Sequence, residues 1–322
     1  MTLPTRQDLE DAAELIRPAV QQSAALAWPL LCERVGAAVY VKHENHNPTG
    51  SFKLCGGLCY LERLRPSARG VKGVIAATRG NHGQSIALAA KRHGINATIV
   101  VPQNNSVEKN AAMRALGAEL VIHGRDYQEA EEYMKRLAIE RDLYELPVFH
   151  PWLLQGVATY ALEFLGALRD LDTAYVPIGR GSGICGMMAV RDALGLTTQI
   201  VGVVAEGADT YARSFEAGHL IPTESADTIA DGVAVRVPDP DGFAFIRRGA
   251  ARVIRVSDAE IKAAMRAYFT DTHNVAEGAG AAPLAAAMRE RERLRGKKIG
   301  LVLSGGNVDR DLYAGILGSH AG

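Results

Sequence analysis

The feature of this chain that most restricts its fold is a regular alternation of short apolar runs with longer amphipathic segments. Short apolar runs favour buried strands and amphipathic segments favour the helices that cover them, so the alternation predicts parallel sheets flanked by helices. After two N-terminal helical segments, the predicted strands are 37–42, 71–77, 96–102, 118–124, 173–179, 199–207, 252–258 and 297–306. The predicted helices are 81–94, 107–117, 126–141, 152–169, 184–194, 259–271, 280–293 and 308–317. The region 218–250 carries several Pro, Asp and Gly residues and is predicted to form loops.

The order of these segments divides the chain into two α/β lobes of unequal size. A length of 322 residues favours about two domains. Residues 71–150 contain three predicted strands with crossover helices, which is enough for a compact unit, and the pattern restarts at Pro151. The sequence therefore predicts a small domain over 71–150 and a large domain built from 1–70 and 151–322, each with a mostly parallel sheet.

Charge and composition exclude several classes of partner. Lys plus Arg and Asp plus Glu each number 36, so the chain has no net charge to attract nucleic acid or an anionic membrane. No apolar run is long enough to span a bilayer, and the N-terminal segment is acidic and amphipathic rather than a secretory signal. The four cysteines lack CxxC spacing, which favours free thiols in a cytoplasmic protein.

The segment NPTGSFKLCGG (47–57) places a lysine where a helix disfavours one. Pro48 and Gly50 favour a turn, and Ser51 is a candidate cap for the helix that follows. Lys53 then lies in the first turn, where the helix dipole repels a cation. That repulsion and burial would lower the pKa of Lys53 and favour the neutral amine that forms a Schiff base. A solvated surface lysine is the alternative.

The segment ATRGNHGQS (77–85) joins a predicted strand to a predicted helix. Gly80 allows a tight turn, and Asn81 is a candidate helix cap that presents an amide inward. Backbone N–H groups at such a helix start suit an anion such as a carboxylate. An ordinary capped helix is the alternative.

The segment VPIGRGSGICG (176–186) repeats the order of strand, glycine loop and helix. Gly179, Gly181 and Gly183 let successive amides point at one phosphate group. The loop lacks the Lys-Ser/Thr pair of a P-loop, so a monophosphate without a metal fits better than ATP. A structural glycine turn is the alternative.

The segment LVLSGGNVD (301–309) ends the last predicted strand with Ser304. Ligands of open α/β sheets gather at the carboxyl ends of the strands, so the Ser304 hydroxyl is a candidate ligand-binding group. A simple helix cap is the alternative.

The content and order of these four segments resemble the serine/threonine dehydratase and serine racemase family of fold type II pyridoxal-phosphate (PLP) enzymes. The resemblance runs from about Asp8 to the end of the chain, and it implies PLP as the cofactor, held by the large domain. It implies that Lys53 is the catalytic residue and carries PLP as a Schiff base. The other cofactor-binding residues it implies are Phe52, Asn81, Gly179, Arg180, Gly181, Ser182, Gly183 and Ser304. The substrate-binding residues it implies are Thr78, Arg79, Gly80, Asn81 and His82, and Glu277 matches a segment near the cofactor.

The resemblance implies a PLP-dependent ammonia-lyase, or dehydratase. PLP makes the Cα–H bond of an amino acid acidic, and Lys53 is placed to remove that proton. A neutral Ser304 at the ring nitrogen makes the cofactor a weaker electron sink than a carboxylate would, which favours loss of a β-leaving group. The expected substrate is an L-β-hydroxy-amino acid such as threonine or serine, and the products are a 2-oxo acid and ammonia. A homodimer is also implied.

Some positions depart from the family pattern. Family racemases carry a serine where this chain has Arg79, and arginine is a poor acid-base group. Arg180 and Ser182 replace glycines, and the family's cation site is matched by Glu206 but not by Ala212, so no metal is expected. The alternatives are an amino-acid racemase, a β-replacement enzyme, or a dehydratase for a larger or acidic substrate such as phenylserine or hydroxyaspartate. A regulatory α/β protein without catalysis is the alternative from another class.

Overall fold

In the computed structural model, which describes residues 4–64 and 72–319, ten strands form two sheets. The strands are β1 (Ala25–Ala27), β2 (Ala38–His43), β3 (Val74–Ala77), β4 (Ala97–Val101), β5 (Glu119–Ile122), β6 (Tyr144–Glu145), β7 (Thr173–Pro177), β8 (Gln199–Ala205), β9 (Arg252–Val256) and β10 (Lys298–Leu303). The larger sheet has the order β1-β2-β10-β7-β8-β9 and is parallel except for the β1–β2 pair. The smaller sheet has the order β5-β4-β3-β6 and is parallel throughout.

Helices cover both sheets. They are α1 (Arg6–Ile16), α2 (Pro29–Val35), α3 (Lys53–Leu64), α4 (Asn81–Arg92), α5 (Val107–Ala115), α6 (Tyr127–Arg141), α7 (Pro151–Ala167), α8 (Ser182–Ala193), α9 (Thr210–Ala217), α10 (Pro240–Gly249), α11 (Asp258–Thr272), α12 (Gly278–Arg289) and α13 (Arg310–Gly318). Strands β3, β4 and β7 are buried along their whole length, as expected for parallel strands with helices on both faces. Helix α3 packs against α4 on one side and α7 on the other, and so joins the two lobes.

The predicted α/β class with two mostly parallel sheets is confirmed, and the prediction of loops over 218–250 is wrong in part. Helix α10 lies inside that region, and Pro240 occupies its first turn. The Asp239 side chain caps it by accepting a hydrogen bond from the Gly242 N–H at 2.9 Å. The Pro and Asp residues that suggested loops are the ordinary start signal of a helix. Helix α9 and the short strands β1 and β6 were also not predicted. Position 71, where the predicted strand 71–77 begins, lies outside the described residues.

The strand order brings three of the four sequence segments to one edge of the larger sheet. Strand β10 lies between β2 and β7, and all three run in the same direction. Their carboxyl ends therefore lead into the loop before α3, the glycine loop before α8 and the Ser304 segment. The Phe52 N–H donates to the Ser304 carbonyl at 3.1 Å, which fixes the start of α3 against the end of β10.

Helices α5 and α13, from opposite lobes, cap each other. The Asp309 carboxylate accepts hydrogen bonds from the Ser106 hydroxyl at 2.5 Å and from the Glu108 N–H at 3.1 Å. In return, the Glu108 carboxylate accepts one from the Arg310 N–H at 2.9 Å. Carboxylates at helix N-termini satisfy free N–H groups and favour the dipole, so these contacts hold α5 against the large lobe.

Candidate active site

A cavity with about 890 Å³ of empty space lies between the two sheets. Every site residue predicted from the sequence lines it: Phe52, Lys53, Thr78, Arg79, Gly80, Asn81, His82, Gly179, Arg180, Gly181, Ser182, Gly183 and Ser304. Glu277 lines it too, as do Lys109 and Asp231, which the sequence analysis did not select. The structure thus brings the four segments together, while the role of each residue stays a prediction.

Lys53 is the first residue of α3, and its amine points across the cavity. Its Nζ donates to the Ser182 Oγ at 2.9 Å and lies 5.1 Å from the centre of the Phe52 ring. Burial, assisted by the positive charge of Arg180, lowers the pKa of Lys53 to about 8. Near pH 7 about one tenth of Lys53 is therefore a neutral, nucleophilic amine, and the fraction rises to about half at pH 8. The prediction that the Ser51 side chain caps α3 is wrong, because its buried Oγ has no hydrogen-bond partner among the described residues.

The glycine loop after β7 is shaped for close approach to an anion. A side chain at Gly179 would collide with the Gly232 carbonyl, so that position tolerates only glycine. Gly181 has a φ of 97°, in the left-handed region, and directly precedes the first turn of α8. The free backbone N–H groups of that turn lie at the end of α8 that borders the cavity, where the helix dipole is positive. The loop can therefore hold a phosphate group.

The turn after β3 is held by its own side chain. The Thr78 Oγ1 accepts hydrogen bonds from the Gly80 N–H at 2.9 Å and the Gly83 N–H at 3.3 Å. Asn81 is the first residue of α4 and does not cap it, contrary to expectation. Its amide instead donates to the Glu277 Oε1 at 2.6 Å, so this turn is tied to the large lobe.

Lys109 connects the lobes through a buried ion-pair network. Its Nζ lies 2.6 Å from the Asp231 Oδ2 and 3.1 Å from the Glu277 Oε2. Although burial opposes it, the two carboxylates raise the pKa of Lys109 above its ordinary value, so the ammonium form persists. Lys109 lies in the first turn of α5, and this unfavourable position was the signal that selected Lys53. The same signal could have selected Lys109 from the sequence.

The remaining groups complete the lining. Ser304 ends β10 with 3% of its surface exposed. Burial, with the charges of Lys53 and Arg180, lowers the pKa of His82 to about 3, so its imidazole is neutral. Among the described residues, no group of three or more His, Cys, Asp or Glu side chains could hold a metal ion.

The residues present fit PLP. The N-terminal turn of α8 offers a phosphate site, the Phe52 ring lies beside the amine of Lys53, and Ser304 lines the same cavity at the end of the neighbouring strand. The Nε2 of His82 is buried without a hydrogen-bond partner among the described residues, as expected for a cavity that holds a polar ligand. A doubly lobed α/β fold with a buried lysine facing a phosphate loop defines a fold type II PLP enzyme.

Comparison with known proteins supports the same class. Residues 16–305 match the family model described as "Pyridoxal-phosphate dependent enzyme", and the chain belongs to that family. The resemblance drawn from the four segments is therefore confirmed, and PLP is the cofactor.

Individual relatives cover almost the whole chain. It is 34% identical to the L-threo-3-hydroxyaspartate ammonia-lyase of Saccharomyces cerevisiae, over 98% of this chain and 97% of the yeast protein. It is 32% identical to the L-threonine ammonia-lyase of Thermotoga maritima, over 97% of this chain and 78% of that protein. The structure of maize serine racemase superposes with a TM-score of 0.90 at 28% identity, over 98% of this chain and 97% of that one. In the described part of this chain, no helix is both long and apolar enough to cross a membrane.

Proposed function

We propose that this chain is a PLP-dependent ammonia-lyase: it eliminates water from an L-β-hydroxy-amino acid, and the released enamine is hydrolysed by water to a 2-oxo acid and ammonia. The observation that carries the proposal is the buried amine of Lys53, with a pKa of about 8, in a cavity with two helix starts suited to anions. The relatives named above include ammonia-lyases for two different hydroxy-amino acids at nearly equal identity, so they support the reaction class and not one side chain.

The cofactor-binding roles proposed here are those that the family resemblance implies, and the positions of the residues around the cavity support them. When bound, PLP withdraws electrons from the substrate and makes its Cα–H bond acidic. Lys53 would hold it covalently, the loop 179–183 would bind its phosphate, and Ser304 would face the pyridine nitrogen. Phe52 would pack beside the ring, and Asn81 would contact the ring oxygen from the other lobe.

Lys53 would remove the proton from Cα. When it is not bonded to the cofactor, the Lys53 amine would act as the base, because its low pKa leaves it mostly unprotonated above about pH 8. The turn formed by Thr78, Arg79, Gly80, Asn81 and His82 would hold the substrate carboxylate through N–H groups at the start of α4. Holding the carboxylate there orients Cα toward the lysine.

The organisation of the protein is part of the proposal. The division into a small domain over 71–150 and a large domain over 1–70 and 151–322 is supported by the two separate sheets. A homodimer and a cytoplasmic location are supported by the family resemblance and by four cysteines that are free in the structure.

The test is a substrate panel. Serine, threonine, 3-hydroxyaspartate and phenylserine are each incubated with the holoenzyme, and 2-oxo acid and ammonia are measured together. We expect equal amounts of the two products from at least one substrate. Chiral analysis detects the racemase alternative, and added thiols detect β-replacement. Formation of D-amino acid or thioether without 2-oxo acid would overturn the proposal.

Ser304 gives a second expectation. Loss of one hydrogen bond to the ring nitrogen removes about 1 kcal/mol, so Ser304→Ala should weaken PLP retention by roughly five-fold. A carboxylate would keep the nitrogen protonated, so Ser304→Asp should increase abortive transamination relative to elimination. Cofactor loss on dialysis and the ratio of aminated cofactor to 2-oxo acid report the two effects. If both variants match the wild type in cofactor loss and in product ratio, Ser304 has no role at the ring nitrogen.

A further inference from the structure

Two arginines of the cavity stand at positions where the family pattern has other residues. Arg79 follows β3 in the turn of the small lobe, and Arg180 lies in the glycine loop of the large lobe. Both line the main cavity and also the adjoining depression formed with 224–227 and 234–237. They therefore meet at the mouth of the site, one from each lobe.

Neither guanidinium group is in an ion pair with any carboxylate of residues 4–64 and 72–319. The Nε atoms of Arg79 and Arg180 are buried and have no hydrogen-bond partner among the described residues. The only polar contact of the Arg180 side chain in that part of the chain is from Nη1 to the Val237 carbonyl, at 3.3 Å. A buried N–H donor without an acceptor is unfavourable, so this arrangement is suited to a bound acceptor.

The carboxylates that line the main cavity are already engaged, whereas two exposed ones, Glu224 and Asp227, line the adjoining depression. Asp231 and Glu277, the acidic residues that line the cavity, both contact Lys109. At the mouth, Asp126 pairs with Arg236 at 2.9 Å. What the two arginines bring to the mouth of the site is a pair of buried Nε–H donors that have no acceptor among the described residues.

We propose that Arg79 and Arg180 bind a second acidic group, on the substrate's side chain, so that the enzyme selects β-hydroxy-amino acids with an anionic side chain such as 3-hydroxyaspartate. The inference takes the reaction from the proposed function, but the binding of the second acidic group is tested independently of that reaction. A guanidinium binds a carboxylate through two parallel hydrogen bonds, which a neutral side chain such as that of threonine cannot accept. The other anion within reach of Arg180 is the cofactor phosphate, and the experiment separates the two.

The experiment compares two probes that lack a Cα–H bond and therefore bind without eliminating, L-α-methylaspartate and L-α-methylserine. Their dissociation constants are measured on the holoenzyme from the change in cofactor absorbance. We expect α-methylaspartate to bind more tightly to the wild type. Arg79→Gln and Arg180→Gln should each weaken the binding of α-methylaspartate by roughly ten- to a hundred-fold more than they weaken the binding of α-methylserine. Arg180→Lys, which keeps the charge, should retain part of the selectivity.

Arg236→Gln is the matched control, because Arg236 lines the same mouth but is paired with Asp126. It should leave the ratio of the two dissociation constants unchanged. Equal loss of both probes in the Arg180 variants, together with faster PLP loss on dialysis, would assign Arg180 to the phosphate and overturn the proposal. So would equal binding of the two probes by the wild type. Failure to form any 2-oxo acid would refute the reaction but leave this binding comparison valid.

Discussion

Replacing Lys53 with alanine is expected to abolish covalent PLP binding and to lower elimination turnover by about a thousand-fold or more. Lys53 is assigned both the bond to the cofactor and the removal of the Cα proton, and positioned acid-base groups alone contribute roughly a hundred- to ten-thousand-fold. The visible absorbance of the holoenzyme and the rate of 2-oxo acid formation measure the two losses. Retained absorbance at the same wavelength would refute the assignment.

Borohydride reduction provides the control for this result. Reduction of the holoenzyme should fix PLP on the peptide that contains Lys53. Lys42 is buried too, but its amine already donates to Glu163 and to the Ser23 carbonyl. Lys72 is exposed and paired with Asp142. A label on Lys42 or Lys72 would show that the cofactor is held elsewhere.

The pKa of Lys53 also sets a pH dependence in the cofactor-free protein. Only the neutral amine attacks the PLP aldehyde, and burial makes that form available above about pH 8 rather than above 10.5. The rate of PLP attachment should therefore rise up to about pH 8 and then level off. Arg180→Gln removes a nearby positive charge and should shift this midpoint to higher pH. A rate that continues to rise toward pH 10.5 would mean that the amine is solvated.

Lys109→Met is expected to give the largest loss of stability, about 3–5 kcal/mol in the free energy of unfolding. Lys109 is 4% exposed, and its removal leaves the carboxylates of Asp231 and Glu277 without their cation. Unpaired buried charge is far more costly than the loss of a surface pair. Urea unfolding of the wild type and the variant measures the difference.

Lys72→Met is the matched control for that measurement. Lys72 also pairs with one carboxylate, that of Asp142 at 3.2 Å, but both side chains are largely exposed. Exposed pairs contribute about 0–1 kcal/mol, so this variant should unfold almost as the wild type does. If Lys109→Met changes the unfolding free energy no more than Lys72→Met, the network is not a main contact between the lobes.

The parts of the site that the sequence predicted are those encoded within single short segments. Lys53, the turn at Gly80 and the loop at Gly179 each combine a strand end, a glycine and a helix start within a few residues. Such local patterns can be recognised from the sequence because a tight turn favours glycine, and a helix start offers free N–H groups, wherever the segment lies in the fold. Helix α10 was not predicted because the Pro and Asp residues at its start were interpreted as loop residues.

The network of Lys109, Asp231 and Glu277 could not be assembled in the same way. Its members lie more than forty positions apart along the chain and meet only after the two lobes dock. Neither hydrophobic periodicity nor turn residues carry information about that docking. Only the unfavourable first-turn position of Lys109 indicated that this lysine had a partner elsewhere.

The central position of β10 affects when the larger sheet can fold during synthesis on the ribosome. Strand β10 is the last to be synthesised, yet it lies between β2 and β7 in the larger sheet. The smaller sheet comes from the continuous stretch 74–145 and can form as soon as that stretch has emerged. The larger sheet must instead wait, with the edges of β2 and β7 that face β10 unpaired, until β10 has emerged. Nascent or prematurely terminated chains that lack β10 therefore present a strand-binding gap to chaperones and to one another.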